Sequence, residues 1–214
     1  MKKILNKIGA FILIFIIFFG MVTVSVETAD NEGELTGERI IIDFTEEDDE
    51  EFVVEGDAVL IYRDLSVEGD YARHNTEAGY ILFEDNVIIE DEEYVITGDL
   101  LEGNLEEEDF HITGDVELKG DEFLVGGDSL DYKHYSGEMI FSNNTYINYK
   151  DFRAEADKIN YKRGEDRIVL TGNVRGSRDG REFTASRVTA DLENEKITLE
   201  EGARIIFPDN GGEE

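Results

Sequence analysis

The sequence contains no cysteine and a single proline, Pro208. The absence of cysteine excludes disulfides, thiolate catalysis, a cysteine-linked lipid anchor and zinc sites with cysteine ligands. Proline has no N–H to donate to a β-ladder, so a chain almost free of it is compatible with many interior strands. No region after the N-terminus has the periodicity of an amphipathic helix, and we therefore expect an all-β protein.

Basic residues are also scarce, with 20 Lys and Arg against 52 Asp and Glu, for a net charge of −32. Such a surface repels nucleic acid and anionic membranes, because binding to phosphates depends on Lys and Arg. Hydrophobic residues still make up 40% of the chain, which favours a folded protein over a disordered acidic tail. A salt-rich habitat and a functional role both remain explanations of the acidity.

The N-terminal segment, residues 1–26, begins with three lysines and continues as an uncharged apolar run of 19 residues, 8–26. This pattern predicts export. Cleavage after Ser25 or Ala29 would make it a signal peptide, and the alternative is an uncleaved anchor, since 19 apolar residues can span a bilayer. In both cases the chain from Glu27 onward lies outside the cytoplasmic membrane, and we expect a periplasmic protein.

A two-residue step of Gly or a polar residue followed by Asp or Asn recurs every 29 residues without insertion or deletion. Its second residue is in turn Asp57, Asn86, Asp115, Asn144 and Asn173, with Gly202 in the sixth place. A fixed period over most of the exported chain indicates a repeat architecture. The sequence therefore predicts about five units of 29 residues.

Within each unit the apolar columns are two residues apart, which is the period of a strand with one buried face. Gly, Asn and Asp tolerate the positive φ of a tight bend or bulge, so each step predicts a kink. A second column of small residues predicts a close approach of two backbones. Its members are Gly69, Gly98, Gly127, Ala156 and Ala185. We expect two curved antiparallel sheets that face each other, with the apolar columns inside and open strand edges at both ends.

Two stretches, residues 112–140 (ITGDVELKGDEFLVGGDSLDYKHYSGEMI) and 170–199, resemble the OstA/LptA family of lipopolysaccharide transport proteins. The shared pattern is a Gly-Asp/Asn-Val step, two strands, and a small residue with Asp that leads into an apolar-Tyr strand. The resemblance covers about 52–207. It implies a β-jellyroll with a V-shaped section, an apolar groove for the acyl chains of lipopolysaccharide, edge-to-edge assembly into a bridge, and no catalytic activity. The chain departs from the family in its acidity and in the first unit, which reads GDYARHN (Gly69–Asn75) in place of the family's Asp-x-x-x-Tyr pattern.

These patterns divide the chain into four parts. Residues 1–26 form the signal or anchor, 27–51 an acidic segment with a possible first strand, and 52–207 the OstA/LptA-like β-jellyroll. Residues 208–214 form a polar tail that we expect to be disordered.

The apolar columns are the candidate lipid-binding site. The predicted groove residues are Phe83, Val87, Ile89, Ile96, Ile112, Val116, Leu118, Val125 and Phe141. The same residues fit the closed core of a sandwich, and the sequence does not separate the two interpretations.

Half of all Lys and Arg residues lie between positions 150 and 187. Arg153, Lys158, Lys162 and Arg163 are candidates for contacts with a phosphorylated headgroup, because guanidinium and ammonium groups pair with phosphate. Solvated turns and cross-strand ion pairs with the many acids explain them equally.

No motif for catalysis, a cofactor or a specific metal site is found. His74, His111 and His134 occupy different repeat columns and match neither a catalytic triad nor a zinc set. We expect a passive carrier of lipopolysaccharide or a related glycolipid, which docks related β-jellyroll proteins, or further copies of itself head to tail, through its open edges. The alternatives are a membrane-anchored component of the export complex, an envelope scaffold without lipid binding, and a secreted β-solenoid enzyme acting on polysaccharide.

Overall fold

The computed structural model describes residues 22–28, 31–44, 50–91 and 93–207. Every regular element in these ranges is a β-strand, which confirms the all-β class. The strands are β1 (Val22–Thr28), β2 (Asn31–Gly37), β3 (Arg39–Phe44), β4 (Glu50–Tyr62), β5 (Leu65–Asn75), β6 (Tyr80–Glu90), β7 (Val95–Asn104), β8 (Asp109–Lys119), β9 (Phe123–Lys133), β10 (Glu138–Tyr149), β11 (Phe152–Lys162), β12 (Arg167–Arg178), β13 (Arg181–Asp191), β14 (Lys196–Glu200) and β15 (Arg204–Ile206).

The strands form one continuous sheet of 15 strands, in which each long strand pairs antiparallel with its neighbours in sequence. At the start, β2 and β3 lie end to end along β4, and at the finish β14 and β15 lie end to end along β13. The two facing sheets expected from the sequence are therefore the two halves of one sheet, which is folded across the middle of its strands.

The fold line runs through the recurring polar step. In β4, Gly56 and Asp57 have φ values of 74° and 44°, and in β6, Asp85 and Asn86 have 59° and 53°. The register of the ladders shifts at these points because the kinked strand carries one more residue than its neighbour. The same event recurs in β8, β10 and β12. The kink predicted from Gly, Asp and Asn is confirmed.

The small column lets neighbouring strands pack closely beside the fold line. A Cβ on Gly98 would meet Cγ2 of Ile112 at 2.7 Å and the carbonyl oxygen of Thr113 at 3.2 Å. The inward positions are two residues apart within each half of a strand, but β5 steps by three across the fold, from Gly69 to Ala72. This step returns the apolar residues to the inner face after the bend.

The N-terminal predictions are only partly covered by the described residues. The stretch near Ile40, which we expected as a possible first strand, forms β3, and two strands precede it. The last residues of the predicted signal or anchor form β1, which pairs with β2 along its whole length. Residues 1–21, 29–30, 45–49, 92 and 208–214 lie outside the described ranges. The boundaries at 26, 51 and 207 stay predictions. Within those ranges, no helix has the length and apolar character needed to cross a membrane.

Candidate functional site

The folded sheet encloses an apolar interior built from rows of inward residues. One row crosses neighbouring strands in register. It contains Phe83, Leu101, Ile112, Leu130 and Phe141. Each of these side chains is at most 1% exposed. Nothing else in the described chain covers this face of the sheet, so the two halves cover each other.

All nine residues predicted to line a groove lie in this interior. They belong to both halves of the fold. Phe83, Ile112 and Phe141 form part of the row above. A second row crosses β6 to β9 in register and contains Ile89, Ile96, Leu118 and Val125. Val87 and Val116 lie opposite glycines of the small column. Their exposure of 1% or less means that they pack against one another in this structure. Lipid contact by these residues stays a prediction.

Opposite the fold line, where the two halves of the sheet come together again, polar side chains close the interior. We call this line of contacts the seam. It joins the two rims of the sheet. The first consists of the turns that follow β4, β6, β8, β10 and β12, and the second of the turns that follow β5, β7, β9, β11 and β13. Side chains join the rims directly. These contacts are Arg63 with Glu108, Asp64 with His134 (3.0 Å), Asp91 with Arg163 (2.6 Å), Lys150 with Glu195 (2.9 Å) and the Tyr149 hydroxyl with the Leu192 carbonyl (3.1 Å).

His134 lies at the centre of the seam and is 4% exposed. Its Nε2 lies 3.0 Å from Asp64 Oδ1 and its Nδ1 lies 2.6 Å from the hydroxyl of Tyr132. With Nε2–H donated to the carboxylate, Nδ1 accepts the tyrosine proton. Arg163 donates both to Asp91 and to the carbonyl oxygen of His134. The buried Asp91 carboxylate is thus held by Arg163, and the buried His134 imidazole by Asp64. Each partner comes from the opposite rim.

The seam also shifts the pKa values of its members. The hydrogen bond from His134 holds the pKa of Asp64 below its ordinary 3.8. This contact contributes stability at neutral pH that is lost as the pH falls through the depressed pKa. Burial raises the pKa of Tyr94 to about 12 and raises that of Tyr132 further, so both tyrosines are neutral hydrogen-bonding groups at physiological pH. Their hydroxyls lie 3.5 Å apart and bring the two rims together above the apolar interior.

The interior opens at the C-terminal end of the stack. A cavity of about 810 Å³ lies between β13, β14 and β15. Its apolar lining comes from Phe183, Ile197, Leu199, Ala203 and Ile205, and Arg178, Arg181 and Lys196 stand at its edge. We call this opening the mouth. Its apolar residues continue the inward columns of the repeat, which is the sequence signal that could have identified them.

The four predicted headgroup residues do not form one cluster. Arg153, Lys158 and Lys162 are exposed and distributed along the whole of β11, and Lys162 pairs with Glu165 at 3.1 Å. Arg163 belongs to the seam. Arg153 lies in the wall of a second groove of about 690 Å³, together with Arg175 and Arg204. Their contact with a headgroup stays a prediction.

The three histidines have different surroundings, and sequence reasoning missed the importance of two. His111 is half-exposed and pairs with Asp131 at 2.7 Å on the outer face. His134 belongs to the seam, and His74 is buried in the interior against Phe52, with ring centroids 6.3 Å apart. In the described residues, no three His, Asp or Glu side chains are arranged to hold a metal ion.

Comparison with known families agrees with this architecture. A family model described as "LptA/(LptD N-terminal domain) LPS transport protein" matches residues 66–196, more than half of the chain. The chain belongs to this family. The resemblance predicted from the repeat is confirmed. The matched region runs from β5 to the start of β14, and so it contains most of the fold line, most of the seam and most of the interior of this LptA-family chain.

Among solved structures, the LptA-family chain is similar to LptH from Pseudomonas aeruginosa, described as the LptA homologous periplasmic component of the conserved lipopolysaccharide transport device. The identity is 11%, and the alignment covers 67% of this chain and 94% of LptH, with a TM-score of 0.31. That score is too low to transfer any structural detail. No curated protein sequence matches the chain.

Proposed function

We propose that this LptA-family protein is a passive periplasmic carrier that holds the acyl part of lipopolysaccharide, or of a related glycolipid, and relays it from the inner to the outer membrane. The observation that supports the proposal is the continuous apolar interior, which ends in an open mouth and which, in the described residues, is closed along the seam by contacts of side chains. Burial of each acyl CH₂ group contributes about 0.8 kcal/mol. Several chains would therefore bind tightly without polar recognition, and the energy for transport would come from elsewhere.

Loading requires the two halves of the sheet to separate, because the interior residues are packed. The backbone pairing runs between strands that are neighbours along the sheet, and the contacts across the seam are made by side chains. The sheet would then open along the seam without losing its ladders. The mouth, with Phe183 and Leu199 in its wall, offers an exit toward the next protein of the bridge.

The two ends of the sheet are suited to edge-to-edge assembly. Among the described strands, β1 and β3 at one end and β14 and β15 at the other pair with a neighbour on one edge only. Residues 27–149 contain 37 Asp and Glu against five Lys and Arg, whereas residues 150–214 contain 15 against 12. The net charges are therefore −32 and −3, and like-charge repulsion disfavours contact between two strongly acidic ends more than head-to-tail contact between copies. Open edges could also pair with strands of related β-jellyroll components.

Photo-crosslinking at adjacent inward and outward positions tests the proposal. Leu199 lines the mouth, whereas Glu200, the next residue on β14, is exposed and does not belong to the lining. We expect a photoreactive amino acid at Leu199 to crosslink lipopolysaccharide in the envelope and the same residue at Glu200 to give little product. Equal crosslinking at both positions, or crosslinking at Glu200 alone, would contradict an interior carrier.

A second function, as a membrane-anchored component of the export complex, is favoured by the position of β1. Cleavage after Ser25 or Ala29 would divide or remove a strand that pairs with β2 over seven residues. An uncleaved chain keeps the strand, and the apolar residues 8–21 that precede it would attach the sheet to the membrane. We expect mass spectrometry of the protein from its own envelope to show an intact N-terminus for the anchored form, whereas a start at Val26 or Asp30 would favour the free carrier.

A further inference from the structure

The apolar interior contains one buried polar atom without a partner. His74 is 1% exposed, and its Nε2 makes no hydrogen bond with any described residue. Its Nδ1 lies 3.0 Å from the carbonyl oxygen of Tyr80. A carbonyl oxygen only accepts hydrogen bonds, so Nδ1 carries the proton and Nε2 presents a lone pair. An unpartnered buried polar atom is costly, and one that persists calls for an explanation.

The position of His74 directs this lone pair toward the proposed ligand space. His74 lies on the inner face of β5, between Phe52 and Ile81 of the neighbouring strands. Its ring is stacked on Phe52, with an interplanar angle of 19°. Burial lowers the pKa of His74, which keeps the imidazole neutral and the lone pair available at physiological pH. It is the penultimate residue of β5, close to the second rim rather than deep below the fold line.

We infer that His74 is a specificity-determining residue, whose Nε2 accepts a hydrogen bond from a hydroxyl or amide N–H placed near the head of a bound acyl chain. This inference rests on the proposed lipid-carrier function. An acyl chain of this class would satisfy the buried nitrogen, whereas a plain hydrocarbon would leave it unsatisfied. A neutral hydrogen bond of this kind corresponds to a preference of about five- to tenfold. Because His74 lies near the rim, the hydroxyl or N–H that it binds lies within a few carbon atoms of the polar end of the acyl chain.

A comparison of two fatty acids tests this inference. The full-length protein, freed of lipid, is titrated with 3-hydroxytetradecanoic acid and with tetradecanoic acid, each displacing a fluorescent fatty acid. We expect the wild-type protein to bind the hydroxylated acid about five- to tenfold more tightly. His74→Phe retains the stacking on Phe52 but lacks the lone pair, and we expect it to bind both acids equally. His111→Phe, on the outer face, is the matched control and should retain the preference.

A measurement on the wild-type protein makes the test independent of the folding of the variant. In ¹⁵N NMR, the Nε2 signal of His74 should move on addition of the hydroxylated acid and stay in place with the plain acid. Equal affinity of the wild-type protein for the two acids, or a preference that survives in His74→Phe, would overturn the role of His74 while leaving the carrier function intact. Failure of the wild-type protein to bind either acid would overturn both.

Discussion

Covalent closure of the seam is expected to abolish lipid loading. The chain has no cysteine, so the double variant Asp64→Cys with His134→Cys carries only two thiols, one on each rim. A short bismaleimide would join the rims at the place where these side chains now meet. If acyl chains enter by separation of the two halves, the crosslinked protein should take up lipopolysaccharide more slowly by roughly tenfold or more, as expected when a gating motion is blocked.

The physical reason lies in the kind of contact that crosses the seam. The pair of Lys150 with Glu195 is exposed, and exposed ion pairs contribute about 0–1 kcal/mol each. The buried pair of Asp91 with Arg163 and the hydrogen bond of the buried His134 to Asp64 cost more to separate. Acyl chains that lie between the separated halves would bury apolar surface, and this burial would offset the cost of separation. A covalent bridge between the rims prevents the halves from separating and leaves the interior residues unchanged.

The control joins two residues of one rim. Glu122 and Lys150 both belong to the first rim and lie 3.3 Å apart through Oε2 and Nζ. The variant Glu122→Cys with Lys150→Cys, treated with the same reagent, should load lipid at the rate of the same variant without the reagent, because the contact of Lys150 with Glu195 is lost in both. Normal loading by the Asp64–His134 crosslinked protein would show that acyl chains enter through the mouth and that the seam does not open.

Phe141→Asp is expected to destabilise the protein by about 4 kcal/mol or more, enough to unfold a domain of ordinary stability. Phe141 is fully buried in the central row of the interior, next to Leu130 and Ile159 on the neighbouring strands. A carboxylate there has no cationic partner, and the surrounding side chains are apolar. Denaturant unfolding of the purified protein, followed by circular dichroism, measures the change.

Ser142→Asp is the matched variant one residue later. Ser142 faces the outer side of β10 and pairs with Lys158 across the ladder. We expect a change within about 0.5 kcal/mol, as for most surface substitutions. If Phe141→Asp were as stable as Ser142→Asp, the interior would be open to water in solution, and the closed seam described here would not be the resting state of the protein.

The repeat made much of the fold predictable from sequence. The kinks at Asp57 and Asn86 depend on the local φ preferences of Gly, Asp and Asn, and the inward columns depend on the two-residue period of a strand. Both preferences depend only on residues that are close together in the sequence. The candidate groove residues were predicted for the same reason, since any inward apolar column of a folded sheet becomes its interior.

The seam was not predictable in this way. Arg63 meets Glu108, and Asp91 meets Arg163, across more than one repeat unit. None of the four belongs to an apolar column or to the polar step. Their meeting depends on how far the sheet folds and coils, which is a property of all the strands together. The burial of His74 and His134 follows from the same closure, and so the histidines had no distinguishing signal in the sequence.

The sequence by itself determined the strands, the position of the fold line and the alternation of inward apolar and outward acidic residues, because each depends on local backbone preference and period. It also determined membership of the LptA family through the recurring Gly-Asp/Asn step. Only the tertiary structure decided that the two faces are one continuous sheet, that its rims meet in a polar seam, and that the interior is packed along its length and open at the mouth. These features depend on contacts between residues far apart in the chain, where side-chain burial and charge pairing act after the backbone has folded.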